Sequence, residues 1–192
     1  MSLIAATLIT ISVGFRDGHV ETMPIEEYLK SVVPAEVYPN WPDAILDAQA
    51  IAARTYALAQ MKKGKHKGFD VCTETCCQAY RPVRRCAATD AAVDRTAGIA
   101  GMHTERGVIV PTYFSAYCAG HTTGKWGDWL KDVPNCGCPR TGKGVKPQGH
   151  QNGLCQWGGY YLARAGRSWR EILDTYYDLD WFTNYGEGES LP

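Results

Sequence analysis

The chain has 192 residues, of which 45% are hydrophobic and 21% are charged, so it is long enough to bury a core and is not intrinsically disordered. Its 20 basic and 20 acidic residues cancel, and without a basic excess nucleic acid is not the expected partner. A neutral substrate such as a polysaccharide fits this composition better. No apolar run of the sequence reaches the roughly 18 residues that a membrane-spanning helix needs.

The first predicted element is a β-hairpin. Apolar and polar residues alternate in TLITISVGF and VETM, and Asp17 and Gly18 lie between these runs as turn residues. A short helix is predicted in MPIEEYLKSVV, with Pro24 near its first turn, where a missing amide donor does no harm. We expect Pro34 to end this helix.

A long alanine-rich helix is predicted next, beginning between Trp41 and Asp43 and running to about Met61. Several of its residues share one face at helical spacing, namely Ala44, Ala48, Ile51, Thr55 and Leu58. Gln49 and Arg54 do not belong to that face, so each of them needs another explanation.

The middle of the chain is less regular. Residues 64–86 are rich in Gly, Lys, Cys and Thr and predict an irregular loop. A short helix is expected in TDAAVDRTAG, capped by Thr89 and closed by Gly98. Two strands are then predicted in GIAGMH and GVIVPTYFSAY, joined near residues 105–107.

After a second Gly, Pro and Cys rich stretch over residues 125–150, helices are predicted in LCQWGGYYLARAG and SWREILDTYYD, the latter with a Ser168 and Glu171 capping box. Strands mixed with segregated helices, without strict βαβ alternation or a fixed-period repeat, predict an α+β fold. We expect one two-lobed domain over residues 1–192, with a substrate cleft beside the long alanine-rich helix.

One carboxylate has unusually apolar surroundings. The neighbours of Glu36 are apolar residues and prolines, namely Val33, Pro34, Ala35, Val37, Tyr38, Pro39 and Trp41. Burial raises the pKa of a carboxyl group by up to a few units, whereas a following helix N-terminus favours the carboxylate by only about 0.3 to 1 kcal/mol. We therefore expect a raised pKa, as a general acid requires. The structural alternative is that Glu36 caps the helix or pairs with Arg54.

A histidine and three cysteines lie close together in HKGFDVCTETCCQAY, as His66, Cys72, Cys76 and Cys77. Structural zinc takes four nitrogen or thiolate ligands in a tetrahedron, and this loop can supply them. The alternative is a disulfide, for instance Cys72 to Cys77, because the chain has eight cysteines and an even number suits a disulfide-forming compartment.

The other cysteine-rich region leads to a different expectation. We interpret Cys118, Cys136, Cys138 and Cys155 as one or two disulfides that tie the glycine-rich loop to the rest of the domain, with the pairing left open. A thiol-protease pair of His150 and Cys155 is a weak hypothesis, because an isolated histidine and cysteine in one loop rarely make a nucleophile.

Three stretches together resemble the stage II sporulation protein D family, which includes amidase-enhancer proteins of bacterial cell walls. The stretches are EEYLKSVVPAEVYPNWPDAILDAQAIAARTYAL, TYFSAYCAGHTT and GHQNGLCQWGGYYLARAGRSWREILDTYY, and they span nearly the whole chain in the expected order. The resemblance implies a lytic transglycosylase that cleaves peptidoglycan between N-acetylmuramic acid and N-acetylglucosamine and leaves 1,6-anhydromuramic ends.

The resemblance also implies roles for individual residues. Glu36 would be the catalytic acid and base, and one carboxyl group suffices because the muramic acid 6-hydroxyl is itself the nucleophile. The expected substrate-binding residues are Tyr38, Trp41, Gln49, Arg54, Ser115, His150 and Gln156. The resemblance supports His66, Cys72 and Cys77 as ligands of a structural zinc ion, with Cys76 at a position that is often histidine in the family.

Two functional classes follow. The first is the enzyme, acting on peptidoglycan glycan strands, and the second is a non-catalytic cell-wall module that enhances an amidase. Both predict an extracytoplasmic location, either secreted or in the cell wall or periplasm. The initial MSLIAATLITISVGF alternates like a strand and lacks the cationic start of a signal peptide, so any export signal or membrane anchor is expected outside this sequence.

Overall fold

The computed structural model describes residues 9–74, 76–138, 144 and 146–183. The helices of this part are α1 Ile25–Glu36, α2 Asp43–Lys63, α3 Ala87–Arg95, α4 Gln156–Arg164 and α5 Trp169–Tyr176, with a 3-10 helix at Pro82–Arg84. The strands are β1 Thr10–Gly14, β2 Val20–Pro24, β3 Val71–Cys72, β4 Ala100–Met102, β5 Phe114–Ser115, β6 Leu154–Cys155 and β7 Asp180–Phe182. These elements confirm the predicted α+β fold, whereas the two lobes and the single domain stay predictions.

The predicted hairpin is β1 with β2, antiparallel, with Ser12 opposite Thr22 and the turn at Asp17 and Gly18. The start of the predicted strand, residues 7–8, lies outside the described residues. β3 pairs with β1 in parallel, so the largely irregular segment 64–86 is joined to the hairpin edge.

Two further pairs of short strands connect distant parts of the chain. β4 pairs with β7, with Gly101 opposite Trp181, and β5 pairs in parallel with β6, with Ser115 opposite Cys155. The strand predicted in GVIVPTYFSAY is therefore reduced to two residues, because Pro111 cannot donate to a ladder and most of the run packs as extended coil. The expected turn over residues 105–107 is present, closed by a bridge between His103 and Val108.

Helix α2 lies at the centre of the core, in contact with α1, α3, α4 and α5. The predicted face is buried except for the half-buried Ala44, but it is not the only buried face, since nearly every side chain from Ile45 to Gln60 is buried. A helix that is buried on all sides needs small side chains where its neighbours approach, and the alanines of this sequence supply them. The helix ends at Lys63, followed by Gly64 in the left-handed conformation.

Helix α1 does not end at Pro34, as the sequence predicted. The helix continues to Glu36, and the amide of Val37 still donates to the Val33 carbonyl at 3.1 Å. Proline removes only its own hydrogen bond, which in the last turn would have gone to the carbonyl of Lys30, and the remaining bonds hold the helix. Glu36 is consequently a helix residue and not part of a loop.

Two other helix boundaries differ from the predictions. Helix α3 begins at Ala87, so Thr89 lies inside its first turn, where its hydroxyl donates to the Cys86 carbonyl at 3.2 Å. The helix ends at Arg95, and Gly98 follows in a turn with φ of +74°. The capping box of α5 is confirmed, since the side chains of Ser168 and Glu171 each accept the other's backbone amide.

No helix in the described part of the chain is both long enough and apolar enough to cross a bilayer.

Candidate active site

Glu36 lies at the meeting point of two cavities. The first, here called the Trp41 cavity, has a volume of about 510 Å³, and the second, called the His150 cavity, has a volume of about 440 Å³. Glu36 lines both of them, whereas each of the other lining residues belongs to one cavity alone. A long substrate that runs through both cavities would therefore pass the Glu36 carboxyl group.

Both carboxyl oxygens of Glu36 accept a hydrogen bond from the protein. The backbone amide of Ala79 donates to Oε1 at 3.0 Å, and the Nε2 amide of Gln156 donates to Oε2 at 3.1 Å. The same Gln156 amide also donates to Oε1 of Gln49 at 3.3 Å. These contacts fix the orientation of the carboxyl group from two distant segments of the chain.

The protonation of Glu36 follows the sequence-based expectation. Burial raises the pKa of Glu36 above its usual value, and this effect exceeds the opposing influence of the Gln156 and Ala79 donors and the Arg81 charge. The N-terminus of the following helix, which would favour the carboxylate, is not adjacent to Glu36, because α2 begins only at Asp43. Glu36 instead ends α1, where the negative end of the helix dipole also disfavours a carboxylate.

Aromatic rings form a wall of the Trp41 cavity. Trp41 lies against Trp157 with ring centroids 5.0 Å apart, and the exposed Tyr38 ring lies 5.4 Å from Trp41. The predicted residues Tyr38 and Trp41 are thus present at the cavity, together with Gln156. Flat apolar rings beside polar groups suit the binding of a sugar ring, which has an apolar face and hydroxyl edges.

The His150 cavity has a different lining. The predicted residues Ser115 and His150 both line it, and the His150 ring lies 4.4 Å from the ring of Trp126. Lys63 and Lys65 add positive charge to this cavity. Burial lowers the pKa of His150, so the neutral imidazole is favoured.

Arg54 was expected at the substrate site, but the structure places it in the core. The residue is only 1% exposed and lines neither cavity. The guanidinium makes a bidentate pair with Glu26, at 2.8 and 2.7 Å, and donates to the carbonyls of Val93 and Ile99. It therefore joins α1, α2 and the end of α3, and the alternative pairing with Glu36 is also excluded.

Gln49 was expected to contact substrate, but it lines neither cavity. It is buried on α2 and accepts the hydrogen bond from Gln156 described above. Because Gln156 also donates to Glu36, Gln49 is linked to the carboxyl group through Gln156. A buried glutamine among alanines is explained by this amide pair.

The predicted metal ligands come together in space. The Nε2 atom of His66 and the sulfurs of Cys72, Cys76 and Cys77 all lie within 4.8 Å of one another, and we call this group the histidine-cysteine cluster. His66 Nε2 is 3.1 Å from Cys77 Sγ, and the sulfurs of Cys72 and Cys76 are 3.0 Å apart. The turn between the adjacent Cys76 and Cys77 lets both reach one centre, and this set of four donors could hold a metal ion.

The histidine-cysteine cluster is connected to Glu36 through Gln78. Gln78 is buried, its amide donates to the Ala53 carbonyl on α2 at 3.1 Å, and its oxygen accepts from the Tyr28 hydroxyl on α1 at 3.1 Å. The next residue is Ala79, whose amide donates to Glu36. The loop that carries the cluster thus also supplies one of the two donors to the carboxyl group.

The predicted disulfides are not formed, because all eight cysteines are free. Three belong to the histidine-cysteine cluster, Cys86 lies apart from both groups, and the remaining four come together, namely Cys118, Cys136, Cys138 and Cys155. The even number of cysteines suggested disulfide pairs, but the eight residues divide into groups of three and four and the separate Cys86. Cys155 is buried in its group of four, so it is no partner for His150 as a nucleophile.

The comparison with known families agrees with this geometry. Residues 16–103 match the model of the stage II sporulation protein family, SpoIID. Over these residues the chain is similar to the SpoIID family, which supports the resemblance seen in the sequence. The matched SpoIID range contains Glu36, α2 and the histidine-cysteine cluster, whereas His150 and Gln156 lie outside it.

One curated relative of this chain is an uncharacterized protein of Brachyspira hyodysenteriae. It is 42% identical over 105 residues, which are 54% of this chain and 28% of the relative. The chain thus spans less than a third of that relative's length.

Several residues of the candidate site were missed by the sequence analysis. Trp157 directly follows the predicted Gln156, and its helical neighbours Tyr160 and Tyr161 were a signal for an exposed aromatic stripe. Gln78 and Trp126 gave no such signal, because each is a single residue in an irregular segment whose path depends on packing.

Proposed function

We propose that this chain, which is similar to the SpoIID family over residues 16–103, is a lytic transglycosylase that cleaves peptidoglycan glycan strands between N-acetylmuramic acid and N-acetylglucosamine. The observation that carries the proposal is the position of Glu36, a buried carboxyl group with a raised pKa where two cavities meet. A glycan strand is a linear polymer, so it can fill one cavity on each side of the bond to be cleaved. The composition, with a net charge of zero, is compatible with such a substrate.

The number of carboxyl groups distinguishes this reaction from hydrolysis. Most glycoside hydrolases use two carboxyl groups that flank the bond, one as acid and one as base or nucleophile. Among the described residues that line the two cavities, Glu36 is the sole carboxylic acid. A single carboxyl group suits a reaction in which the substrate provides its own nucleophile.

The reaction then proceeds through one proton donor and acceptor. The protonated Glu36 donates its proton to the glycosidic oxygen while the bond from that oxygen to C1 of N-acetylmuramic acid breaks. The 6-hydroxyl oxygen of the same sugar forms a bond to C1, and its proton passes to the Glu36 carboxylate. The products are a free 4-hydroxyl on N-acetylglucosamine and a 1,6-anhydro ring, no water is consumed, and Glu36 is again protonated.

Gln156 and the Ala79 amide have a role in this cycle. Glu36 must lose a proton and regain it, and a carboxylate left in an apolar site without donors would be strongly disfavoured. The two donors stabilise the carboxylate formed after the first proton transfer and hold it in place for the second. The proposed substrate contacts are Tyr38, Trp41, Ser115 and His150, with Trp157 added from the structure.

For the histidine-cysteine cluster we propose a structural zinc ion. One nitrogen and three sulfur donors suit zinc, and the mutual distances of the donor atoms fit a single tetrahedral ion. His66, Cys72, Cys76 and Cys77 would hold the ion and thereby fix the loop that leads to Ala79. We further propose that the protein works outside the cytoplasm, that its substrate is peptidoglycan and that a cell-wall amidase is a partner.

The experiment is product analysis with a substitution of Glu36. Purified glycan strands are incubated with the protein and with Glu36→Gln, and products are identified by mass spectrometry. We expect 1,6-anhydromuramic ends from the wild-type protein and a loss of rate in the variant of about 10² to 10⁴ fold, because an amide cannot donate the proton. Glu27→Gln, on the exposed side of the same helix, is the matched control and is expected to retain activity.

Other outcomes would contradict the proposal. Reducing ends formed with uptake of water would indicate a hydrolase, and full activity of Glu36→Gln would remove Glu36 from the mechanism. Glycan binding without cleavage, together with stimulation of a cell-wall amidase, would instead support the non-catalytic module.

A further inference from the structure

The group of four buried cysteines that was expected to form disulfides has a geometry of its own. The sulfurs of Cys118, Cys136, Cys138 and Cys155 all lie within 4.8 Å of one another, and all four residues are buried. Two disulfides require only two close pairs. One tetrahedral metal ion requires that every sulfur be close to the other three, and this is the arrangement present.

The spacing of the sulfurs is near that around a zinc ion. Four thiolates at about 2.3 Å from one zinc ion are roughly 3.8 Å apart along the edges of the tetrahedron. The Cys118 sulfur lies 3.6 Å from that of Cys138, close to this edge, and 2.8 Å from that of Cys136, a shorter distance that would have to lengthen around an ion. In the part of the chain that the structure describes, the group consists of these four sulfurs alone, as in closed structural sites.

The backbone around the cluster is shaped to present these sulfurs. Gly137, between two of the cysteines, has φ of +75°, a left-handed conformation that lets the side chains of Cys136 and Cys138 turn toward the same centre. Two backbone amides donate to sulfur, from Gly120 to Cys138 at 3.1 Å and from Gly158 to Cys155 at 3.4 Å. Such donors favour the thiolate form that binds metal.

A buried hydroxyl points to the same site. Tyr176 on α5 is 0% exposed, and in the part of the chain that the structure describes its hydroxyl makes no regular hydrogen bond, its polar neighbour being the Cys136 thiol. This hydroxyl and the sulfur of Cys136 both face the α carbon of Gly158, where a side chain would collide with them. A tyrosine hydroxyl in this position is suited to donate to a metal-bound thiolate, which would satisfy it.

We propose that Cys118, Cys136, Cys138 and Cys155 bind a second structural zinc ion in an all-cysteine site. The ion would link the segment after β5, the glycine-rich loop and the start of α4. Cys155 immediately precedes Gln156, so the ion would also fix the residue that donates to Glu36. The site does not depend on the proposed enzymatic activity.

The test measures zinc in protein purified without oxygen and without chelator. In Cys72→Ser, which removes the histidine-cysteine cluster, we expect one equivalent of zinc to remain, and in the double variant Cys72→Ser with Cys138→Ser we expect none. Cys86 lies outside both clusters, so Cys86→Ser is the matched control and should keep the wild-type zinc content.

A second measurement needs no substitution, in case a variant fails to fold. Zinc-edge X-ray absorption of the wild-type protein should give a first shell of sulfur alone if only the four-cysteine site is filled. It should give sulfur with a minority of nitrogen, and two equivalents of zinc, if both clusters are filled. Either result supports the proposal.

Three results would overturn it. The first is a single equivalent of zinc with three sulfur ligands and one nitrogen ligand, because that ion would occupy the histidine-cysteine cluster alone. The second is the recovery of the four cysteines as two disulfides after alkylation and mass spectrometry. The third is iron instead of zinc in this site, which would replace the zinc assignment with a redox-active one.

Discussion

Glu36 is subject to opposing influences on its protonation. Burial and the C-terminal end of α1 favour the neutral acid, whereas the amides of Gln156 and Ala79 favour the carboxylate. Burial is the largest of these, so the pKa of Glu36 is raised, but the donors keep the charged form accessible. A group that alternates between acid and base within one reaction requires such a balance.

The raised pKa has a consequence for stability. Because the pKa of Glu36 is higher in the folded than in the unfolded protein, its contribution to stability is present below the unfolded pKa and is lost as pH rises through the folded pKa. We therefore expect Glu36→Gln to gain stability relative to the wild type between acidic and neutral pH, by about 1.4 kcal/mol per unit of pKa shift. Urea denaturation of both proteins across this range measures the difference.

The control for this prediction has the opposite sign. The pKa of Glu27 is lowered by hydrogen bonds from Arg85 and Lys30, so its contribution is present above its unfolded pKa and is lost as pH falls. Glu27→Gln should therefore lose stability at neutral pH, by at most about 1 kcal/mol because the pair is solvent-exposed. If Glu36→Gln behaved in the same way as Glu27→Gln, the raised pKa of Glu36 would be disproved.

A substitution of Gln156 tests the influences that favour the Glu36 carboxylate. Its donation to Glu36 lowers the pKa of the carboxyl group, so Gln156→Met should raise that pKa further. The alkaline limb of the pH profile of kcat/KM, which reports loss of the acid, is expected to move to higher pH. Gln148 lines the same cavity, and Gln148→Met is the control in which the limb should stay in place. An unmoved limb in Gln156→Met would show that Gln156 does not act on Glu36.

Helix α2 explains how several elements are held in one core. Its alanines allow four other helices to approach, and two of its buried polar residues, Gln49 and Arg54, connect it to those neighbours. Both residues broke the apolar pattern of the sequence and were assigned to the substrate. A buried polar residue that interrupts such a pattern is equally explained by a partner on a neighbouring element.

Arg54 should therefore affect stability. Arg54→Met leaves Glu26 without its bidentate partner, and breaking a buried ion pair from one side costs about 3 to 5 kcal/mol. Arg95→Met, which breaks a more exposed pair with Asp47, is the control and should cost about 0 to 1 kcal/mol. Chemical denaturation measures both, and equal costs would contradict the assignment of Arg54 to the core.

Both cysteine-containing clusters lie close in sequence to a residue that donates a hydrogen bond to Glu36. The histidine-cysteine cluster precedes Gln78 and Ala79, and the four-cysteine cluster precedes Gln156. Cys76 and Cys77 line the His150 cavity together with Glu36, but the hydrogen bonds to the Glu36 carboxyl group come from Ala79 and Gln156 and not from either cluster. We therefore expect metal to stabilise the frame of the site and not to take part in bond cleavage.

The variant Cys72→Ser tests whether metal stabilises the fold without taking part in bond cleavage. Loss of one ligand should remove zinc from the histidine-cysteine cluster and lower the free energy of unfolding, because structural zinc binding is coupled to folding. The folded variant should still produce 1,6-anhydromuramic ends. Metal analysis, thermal denaturation and product analysis of the same sample provide the comparison, with Cys86→Ser as control. A wild-type protein with no zinc, whose cysteines are all oxidised, would refute the zinc assignment without affecting the Glu36 mechanism.

Local sequence patterns were sufficient for much of the secondary structure and for the central residue of the site. The Asp17 and Gly18 turn, the Ser168 and Glu171 capping box and the apolar setting of Glu36 were predicted correctly because each depends on residues adjacent in sequence. The family resemblance added the role of Glu36, and the SpoIID match supports the family.

Packing determined the remainder. Gln156 and Glu36 are 120 positions apart, and no local pattern indicates that they meet. The grouping of the cysteines and the burial of Arg54 also depend on which segments the core brings together. A sequence records which side chains can bind a proton, a metal ion or one another, but their partners are set by long-range contacts whose energies are summed over the folded chain.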